Sequence, residues 1–417
     1  MAFMNLLLTT TLAASIALAP TLGRAAEPHL LQWHTTWTAP AQPVWADDFV
    51  LPLGMPNPME NATLRQWLRA SVGGQRFRVV VSNEYGRTPL RIGRAAVSAE
   101  DGAATPLRFG GAAGAVVAPG GVLASDPVDR PIASGTRLQV DLFLPGRTSP
   151  AGFHWDAREH VLLAPGDTVG RPMEATAPPM TARAFITELQ VEARREPAAI
   201  VALGDSLTDG NGATPGADQR WPDHLSRRLA PLGVAVLNAG ISGNRLLRDG
   251  MGEGALARLD RDVLRPGVRT VVVLLGTNDI GWPGGPFAPG EALPTLRALQ
   301  DGFHALVRRA HAKGVRVVAA TLPPFEDALR GTPLEGHFSP AKEALRQQLN
   351  AWIRASGSFD AVVDFDAILR NPERPSRLLP AFDSGDHLHP GDAGYRAMAE
   401  GIPLDILLTP ASTEVAR

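Results

Sequence analysis

Between residues 29 and 192, apolar and polar side chains alternate in short runs that glycine and proline interrupt. Period-two alternation with frequent turn residues is typical of antiparallel strands that bury one face. No helical pattern interrupts this region convincingly. We therefore predict an all-β sandwich domain over residues 27–193. Its clearest strands are expected at 63–69, 75–81, 136–144 and 184–191.

From Ala198 onward the hydrophobic pattern changes to continuous apolar runs separated by amphipathic stretches of helical length. Apolar strands that alternate with helices predict a parallel sheet covered on both sides, an α/β fold. A charged segment that contains a proline, 194–197, separates the two patterns, so the second domain is predicted at 194–417. The expected strands are 199–203, 234–237, 270–275, 315–320 and 361–365, and the expected helices lie near 221–231, 254–264, 293–312, 340–355 and 391–402.

The composition is that of a folded protein with balanced charge. Of the 417 residues, 44% are hydrophobic and 20% are charged, with 40 basic and 42 acidic side chains. This balance argues against a disordered chain and against nucleic acid or an anionic membrane as a partner. The sequence contains no cysteine, which excludes disulfides, thiolate nucleophiles and cysteine-ligated zinc.

The first 26 residues have the pattern of an export signal. Apolar and small residues at 6–19 are followed by Pro20 and by Gly-Arg-Ala-Ala at 23–26, which fits a cleavage region. The stretch is too short and too rich in threonine and alanine for a membrane span, although no lysine or arginine precedes it. We predict a signal peptide at 1–26 and an exported protein, periplasmic or secreted, without stable membrane insertion.

Polar residues follow the apolar runs directly, where a doubly wound sheet forms its ligand site. The segments are Gly-Asp-Ser-Leu-Thr-Asp-Gly at 204–210, Asn-Ala-Gly-Ile-Ser-Gly-Asn at 238–244, Gly-Thr-Asn-Asp at 276–279 and, near the end of the chain, Asp-His-Leu-His-Pro at 386–390. Together they supply a hydroxyl, glycine amides, a side-chain amide and a carboxylate next to histidine. These are the groups that acyl transfer requires.

A serine hydroxyl becomes a nucleophile when an imidazole takes its proton and a carboxylate orients that imidazole. Ser206 provides the hydroxyl. A spacing of three residues lets Asp386 reach the far ring nitrogen of His389, which favours His389 over His387 as the base.

The negative charge that develops during acyl transfer needs hydrogen-bond donors. The amides of Ser206 and Gly243 and the side chain of Asn278 can supply three, and the amide of Gly240 competes with that of Gly243. Other polar residues of the same segments are expected to brace the loops rather than react: Asp205, Asp209, Asn244 and Asp279.

In these four segments the chain resembles the SGNH hydrolase superfamily, also called GDSL esterases and lipases. The resemblance covers residues 198–400, with the motifs in the expected order. It implies a flavodoxin-like three-layer α/β/α domain that requires no metal or cofactor. It further implies that Ser206 is the nucleophile, that His389 is the base with Asp386 as its partner, and that Ser206, Gly243 and Asn278 form the oxyanion hole.

The N-terminal half also resembles a known arrangement. It is similar to the sandwich that precedes the catalytic domain in some secreted bacterial members, most recognisably at Trp33, Trp37 and 79–86.

The sequence contains no motif typical of the other reaction classes that we considered. No serine has glycine two residues away on both sides, so the α/β-hydrolase elbow is absent. Neither Lys313 nor Lys342 sits in a phosphate-binding loop, and 250–254 lacks the dinucleotide spacing. No His-Glu-x-x-His motif occurs, and a metal cluster at 383–389 is not favoured.

We therefore expect an exported serine ester hydrolase that works through an acyl-enzyme, with short acyl groups, acetyl above all, on saccharides as substrate. Two loops rich in glycine and proline, 281–287 and 323–340, should border the pocket. There Trp282 stacks on a sugar ring, lines an acyl slot or only packs its own loop, and the sequence leaves these alternatives open. A lipase or lysophospholipase, an acyltransferase with the same triad and a glycan-binding protein are the alternatives. The expected partner is a small-molecule or saccharide ester.

Overall fold

The computed structural model describes residues 32–99, 102–173, 179–193 and 198–409, which belong to one compact unit. The predicted signal peptide at 1–26 and the predicted linker at 194–197 lie outside the described residues. In the described part of residues 32–193 all regular structure is β-strand. The strands are β1 (Gln32–Thr38), β2 (Gln42–Pro43), β3 (Met59–Arg69), β4 (Arg76–Ser82), β5 (Leu90–Ile92), β6 (Arg94–Ala99), β7 (Thr105–Pro106), β8 (Ala115–Val117), β9 (Val122–Ala124), β10 (Arg137–Thr148), β11 (Gly152–His154), β12 (Leu162–Pro165), β13 (Arg183–Ala184) and β14 (Ile186–Ala193).

These strands form antiparallel sheets, which confirms the β-rich N-terminal fold. The two larger sheets have the orders β1-β14-β4-β9 and β12-β3-β10-β6-β7, and two small ones have the orders β13-β11-β2 and β5-β8. In β10 alternate side chains such as Leu138 and Leu142 are buried opposite Leu68 and Leu64 of β3. The strand expected at 184–191 is interrupted at Phe185, whose φ of +68° separates β13 from β14.

The C-terminal region contains a parallel five-stranded sheet of order β16-β15-β17-β18-β19. This is the flavodoxin-like order, with the switch point beside β15. Its strands are β15 (Ala199–Gly204), β16 (Ala235–Gly240), β17 (Val268–Leu274), β18 (Arg316–Ala320) and β19 (Ala361–Val363).

Helices alternate with these strands, as the amphipathic stretches predict. They are α1 (Ser206–Asp209), α2 (Trp221–Leu229), α3 (Ala255–Asp262), α4 (Thr277–Gly281), α5 (Leu296–His311), α6 (Pro340–Ala355), α7 (Phe365–Leu369), α8 (Asp392–Glu400) and α9 (Leu404–Leu408), with a 3-10 turn at Ala230–Leu232. The longer helices α2, α3, α5, α6 and α8 match the predicted ones. The short helices α1, α4, α7 and α9 were not predicted, because four or five residues are too few to show a helical period.

The helices contact one another in two groups, one of α2, α7 and α8 and one of α3, α4, α5 and α6. An α/β/α domain has one layer of helices on each face of the sheet, and the two groups of helices correspond to these two layers. The fully buried apolar residues of β15 and β17 lie between them in one continuous core.

The antiparallel sheets pack directly against the parallel sheet. β1 lies against β16, the edge strand, and the Ser71 hydroxyl accepts a hydrogen bond from the Val236 amide at 2.7 Å. The same hydroxyl lies 2.9 Å from that of Ser226 in α2. One apolar core includes residues from both regions, so the N-terminal sheets and the parallel sheet are packed together without a solvent layer between them.

Candidate active site

Ser206 lies at the carboxyl end of β15, on the first turn of α1. Gly204 makes this turn possible: a Cβ there would lie 2.1 Å from Thr208 Oγ1 and 2.9 Å from the Leu274 carbonyl. Asp205 caps the helix, since its Oδ1 accepts from the Leu207 amide at 3.0 Å. Ser206 is 8% exposed and lines a cavity.

The structure brings His389 and Asp386 to this serine. His389 Nε2 lies 2.8 Å from Ser206 Oγ, and His389 Nδ1 lies 2.6 Å from Asp386 Oδ2. The other oxygen of Asp386 accepts from the backbone amides of Leu388 and His389 at 2.9 and 2.8 Å. Burial would raise the pKa of Asp386, but the charge of His389 and these hydrogen bonds outweigh it and hold that pKa well below its usual range.

The competing histidine, His387, points elsewhere. Its side chain is 48% exposed, and its Nδ1 lies 2.5 Å from Asp383 Oδ2. Asp386 therefore contacts His389, three positions along the chain, as the spacing predicts. His387 pairs with Asp383 instead.

Gly243 and Asn278 line the same cavity as Ser206. Gly243 has a φ of +72°, and a Cβ there would lie 2.2 Å from the Met251 sulfur, so only glycine fits. Asn278, on α4, donates one Nδ2 hydrogen to the Asn244 carbonyl at 3.0 Å, which orients the amide group. The alternative donor, Gly240, gives its N–H to Asn238 Oδ1 at 2.9 Å and is not among the residues that line the cavity.

The remaining polar residues of the motifs hold loop backbone. Asp279 accepts from the amides of Leu246 and Leu247 at 2.7 and 3.0 Å. Asn244 donates to the Glu253 carbonyl at 2.7 Å. Asp209 accepts from both the amide and the hydroxyl of Ser242. These contacts connect the loops that follow β15, β16 and β17.

The cavity above Ser206 has a volume of about 290 Å³. The loops at 281–287 and 323–340 border it, as predicted, through Trp282, Phe287, Leu329, Leu334 and His337. The N-terminal region lines it as well, through Leu51, Trp155, Asp156 and Arg158. Sequence reasoning missed this second contribution.

Trp282 is 5% exposed within an aromatic and aliphatic cluster. Its ring stacks on Phe287 with centroids 4.5 Å apart, and the Arg245 guanidinium lies 5.1 Å from the ring centroid. With so little of the ring open, the contacts favour a lining role over stacking on a sugar. Trp155 of the N-terminal region is only partly buried, and its Nε1 donates to the Pro52 carbonyl at 3.0 Å.

A second histidine, His337, lines the same cavity. It is packed against Gly281 and edge-on to Phe325. Burial, with a smaller contribution from the charge of Lys342, lowers the pKa of His337 to about 3. His337 is therefore neutral at any pH at which the protein is expected to work. In the described parts of the chain, no three histidine or acidic side chains are grouped to hold a metal ion.

A serine hydroxyl, an imidazole and a carboxylate lie in series at the carboxyl edge of a flavodoxin-like sheet, which is the arrangement that serine hydrolases use. The comparisons specify the family. Residues 202–397 match the model of the GDSL-like Lipase/Acylhydrolase family. Residues 202–397 are therefore a GDSL-like lipase/acylhydrolase domain, which is a carboxylic ester hydrolase.

Solved structures resemble about half of the chain. An acetyl xylan esterase from Geobacillus stearothermophilus is 21% identical, with a TM-score of 0.39, and the match covers 51% of this chain and 97% of that one. A GDSL-like lipase from Bacteroides thetaiotaomicron is also 21% identical, with a TM-score of 0.38 and coverage of 51% and 89%. No curated protein matches the chain. Within the described residues, no helix has the length and apolar character needed to span a bilayer.

Proposed function

We propose that this protein hydrolyses esters of short acyl groups, acetyl above all, on saccharides, with Ser206 as the nucleophile. The observation that carries the proposal is the series of contacts from Asp386 through His389 to Ser206 at 2.6 and 2.8 Å, at the base of a small cavity. Each contact has the length of a strong hydrogen bond, which is the arrangement needed to move a proton from a hydroxyl to an imidazole.

In the first half of the reaction Ser206 Oγ attacks the ester carbonyl carbon and its proton passes to His389 Nε2. The carbonyl oxygen becomes an oxyanion, which the amides of Ser206 and Gly243 and the side chain of Asn278 stabilise. As the tetrahedral intermediate collapses, the C–O bond to the alcohol breaks and His389 gives its proton to the departing oxygen. The products are a free alcohol and an acyl-serine.

In the second half a water molecule attacks the acyl-serine. His389 takes a proton from this water, and the second tetrahedral intermediate releases the carboxylic acid while the proton returns to Ser206. Asp386 stays ionised throughout because its pKa is held well below its usual range. Its charge stabilises the imidazolium that forms twice in each turnover.

The size of the cavity supports a short acyl group. A volume of about 290 Å³ lies at the lower end of the range for ligand pockets. Several of the side chains that enclose it are apolar: Leu51, Met251, Trp282, Phe287, Leu334 and Leu388. A long acyl chain would have to leave this space.

Polar groups from the N-terminal region support a hydroxyl-rich alcohol. Asp156 and Arg158 line the cavity, with the Arg158 Nη1 atom 3.2 Å from both carboxylate oxygens of Asp156. Both residues have left-handed backbone, with φ of +42° and +49°. Strained backbone of this kind is characteristic of functional sites. The partly buried Trp155 ring beside them offers the apolar surface that sugar rings bind.

The test is a substrate panel run with the wild type and with Ser206→Ala. We expect the highest kcat/KM on acetylated oligosaccharides and on nitrophenyl acetate, falling steadily towards the palmitate ester. Ser206→Ala should lose about 10⁴-fold or more on every substrate. Preference for palmitate or for lysophospholipid would indicate a lipase-type enzyme, and transfer of the acetyl group to a sugar in preference to water would indicate an acyltransferase. Either result would overturn the proposal.

We also propose that the protein is exported, on the pattern of residues 1–26. Fractionation of a bacterium that expresses the full chain should place activity outside the cytoplasm. Mass spectrometry of the mature protein should find the N-terminus near residue 27. Activity that remains cytoplasmic with residues 1–26 still attached would contradict export.

A further inference from the structure

The turn at 241–243, which carries the Gly243 amide, is connected to the N-terminal sheets through Asp209. Asp209 Oδ2 accepts from the Ser242 amide at 3.1 Å and from the Ser242 hydroxyl at 2.7 Å. Asp209 Oδ1 lies 2.9 Å from Nε2 of His154, a residue of β11. Asp209 is 1% exposed, so this series of contacts is shielded from water.

His154 is itself fixed by the N-terminal region. Its Nδ1 lies 2.9 Å from the Pro40 carbonyl, which can only accept a hydrogen bond, so Nδ1 is a donor. The ring is buried and cannot rotate without breaking both contacts. The position of the Asp209 carboxylate, and with it that of Ser242, therefore depends on two segments outside the parallel sheet.

A second connection reaches the same turn through Met251. The Met251 carbonyl accepts from Gln42 Nε2 at 2.7 Å and from Trp45 Nε1 at 2.6 Å. The Met251 side chain lies against Gly243, so closely that a Cβ on Gly243 would overlap its sulfur. Gln42 and Trp45 thus hold the residue that limits where the Gly243 backbone can lie.

We propose that the N-terminal sheets position the oxyanion hole, with His154, acting through Asp209 and Ser242, as the main positioning residue. The inference rests on the proposed function, because Gly243 has a role only if Ser206 forms an oxyanion. A donor that moves by about 1 Å can cost about 10²-fold in rate. Loss of His154 would leave the buried carboxylate of Asp209 with one fewer partner, and the turn that it holds would shift.

The experiment compares variants of the full chain with nitrophenyl acetate as substrate, at a temperature where each is folded. His154→Ala should lower kcat about 10- to 100-fold and change KM less than about twofold. His154→Gln places a side-chain amide, with both a donor and an acceptor, next to Asp209 and should recover most of the kcat. The matched control is Ser71→Ala, which also removes a buried hydrogen bond between the two regions, the one to the Val236 amide, but does not touch the turn. Its kcat should stay within about twofold of wild type.

A double-mutant cycle tests the route of the effect. If His154 acts through Asp209, the His154→Ala/Asp209→Asn double variant should be no slower than the slower single variant, within about twofold. Three results would each overturn the proposal. In the first, the kcat losses of the two single variants multiply in the double variant. In the others, folded His154→Ala keeps the wild-type kcat, or Ser71→Ala loses as much kcat as His154→Ala.

Trp45→Phe keeps the proposal testable if His154→Ala does not fold. It removes the donor to the Met251 carbonyl and keeps an aromatic ring in the cluster. We expect a loss in kcat of about threefold or more with KM unchanged, and full kcat would contradict the proposal. Ser206→Ala is measured in parallel: if it retained activity, the proposed function would be wrong, whereas an inactive Ser206→Ala with a fully active His154→Ala would reject only the positioning role.

Discussion

His389 Nε2 lies 2.8 Å from Ser206 Oγ although 183 residues separate the two along the chain. Ser206 is held by the turn after β15, and His389 by the loop that leads into α8. Asp386 fixes that loop by accepting two of its backbone amides while it also contacts the imidazole. The His389 imidazole is therefore oriented by its own loop, and it meets the Ser206 hydroxyl only in the folded domain.

Substitution of the two neighbouring histidines should separate their roles. His389→Ala removes the group in contact with Ser206, and we expect kcat/KM to fall by about 10⁴-fold or more. His387→Ala removes only an exposed pair with Asp383 and should stay within about threefold of wild type. Steady-state hydrolysis of nitrophenyl acetate measures both. Equal losses in the two variants would mean that the loop as a whole, rather than the His389 imidazole, is required.

Gly243→Ala should damage the oxyanion hole without touching the triad. The new Cβ would lie 2.2 Å from the Met251 sulfur and 2.8 Å from Trp282 Cζ2, and the φ of +72° disfavours alanine. We expect kcat to fall about 10²- to 10³-fold, similar to the loss expected for Asn278→Ala. Gly233→Ala is the control, since Gly233 also has a positive φ of +65° but open space around its Cβ position. Its kcat should be unchanged, and a matching loss there would refute the steric explanation.

Activity should fall towards acidic pH. The reason is that a protonated His389 carries a hydrogen on both ring nitrogens and cannot take the proton of Ser206. The other histidine of the cavity does not contribute, because burial lowers the pKa of His337 to about 3. Asp386 does not contribute either, because its pKa lies well below its usual range. In a pH-stat assay, the fall of kcat/KM on the acidic side should fit the binding of a single proton. A flat profile down to pH 4 would exclude His389 as the base.

Asp205 should make the fold less stable as the pH rises. Complete burial raises the pKa of Asp205 from 3.8 to about 7, while its hydrogen bond from Leu207 lowers it less. The folded protein thus keeps a proton that the unfolded chain has already released, so the free energy of unfolding falls between about pH 4 and 7. Asp205→Asn has no such proton and keeps an oxygen for the Leu207 amide. We expect its stability advantage over wild type to grow across this range, to at most about 4 kcal/mol.

Urea unfolding at several pH values measures this difference. The exposed Asp129→Asn is the control, because its carboxylate is 81% exposed and loses little solvation on folding. An advantage for Asp205→Asn that does not change between pH 5 and 8 would show that the carboxylate is ionised throughout.

Much of this architecture could be predicted from local patterns. The apolar runs that became β15 to β18 are long enough to identify buried strands, and the polar residues after them mark the carboxyl edge of the sheet. Ser206 and Asn278 follow from their positions at strand ends. The preference for His389 over His387 follows from one spacing, since Asp386 and the histidine that it contacts are three positions apart.

The contribution of the N-terminal region could not be predicted in this way. His154 meets Asp209 across 55 residues, and nothing in either local sequence indicates the contact. Asp156 and Arg158 line the cavity, and their backbone is left-handed although neither is glycine, a conformation that residue type does not indicate. Contacts between distant segments depend on how the sheets pack, so only the folded structure reveals them.

Asp156 offers the sharpest test of the alcohol specificity. Burial raises its pKa, and Arg158 partly offsets this, so the carboxyl group sits in the cavity with Arg158 as its near partner. If Asp156 binds a sugar hydroxyl, Asp156→Asn should raise KM about tenfold or more for an acetylated oligosaccharide. A change of that size corresponds to the free energy of one hydrogen bond to a charged group. KM for nitrophenyl acetate, which has no hydroxyl, should change less than twofold. Asp129→Asn removes the same charge elsewhere in the N-terminal region and should leave both KM values unchanged. If Asp156→Asn impairs both substrates equally, Asp156 supports the loop and does not recognise the alcohol.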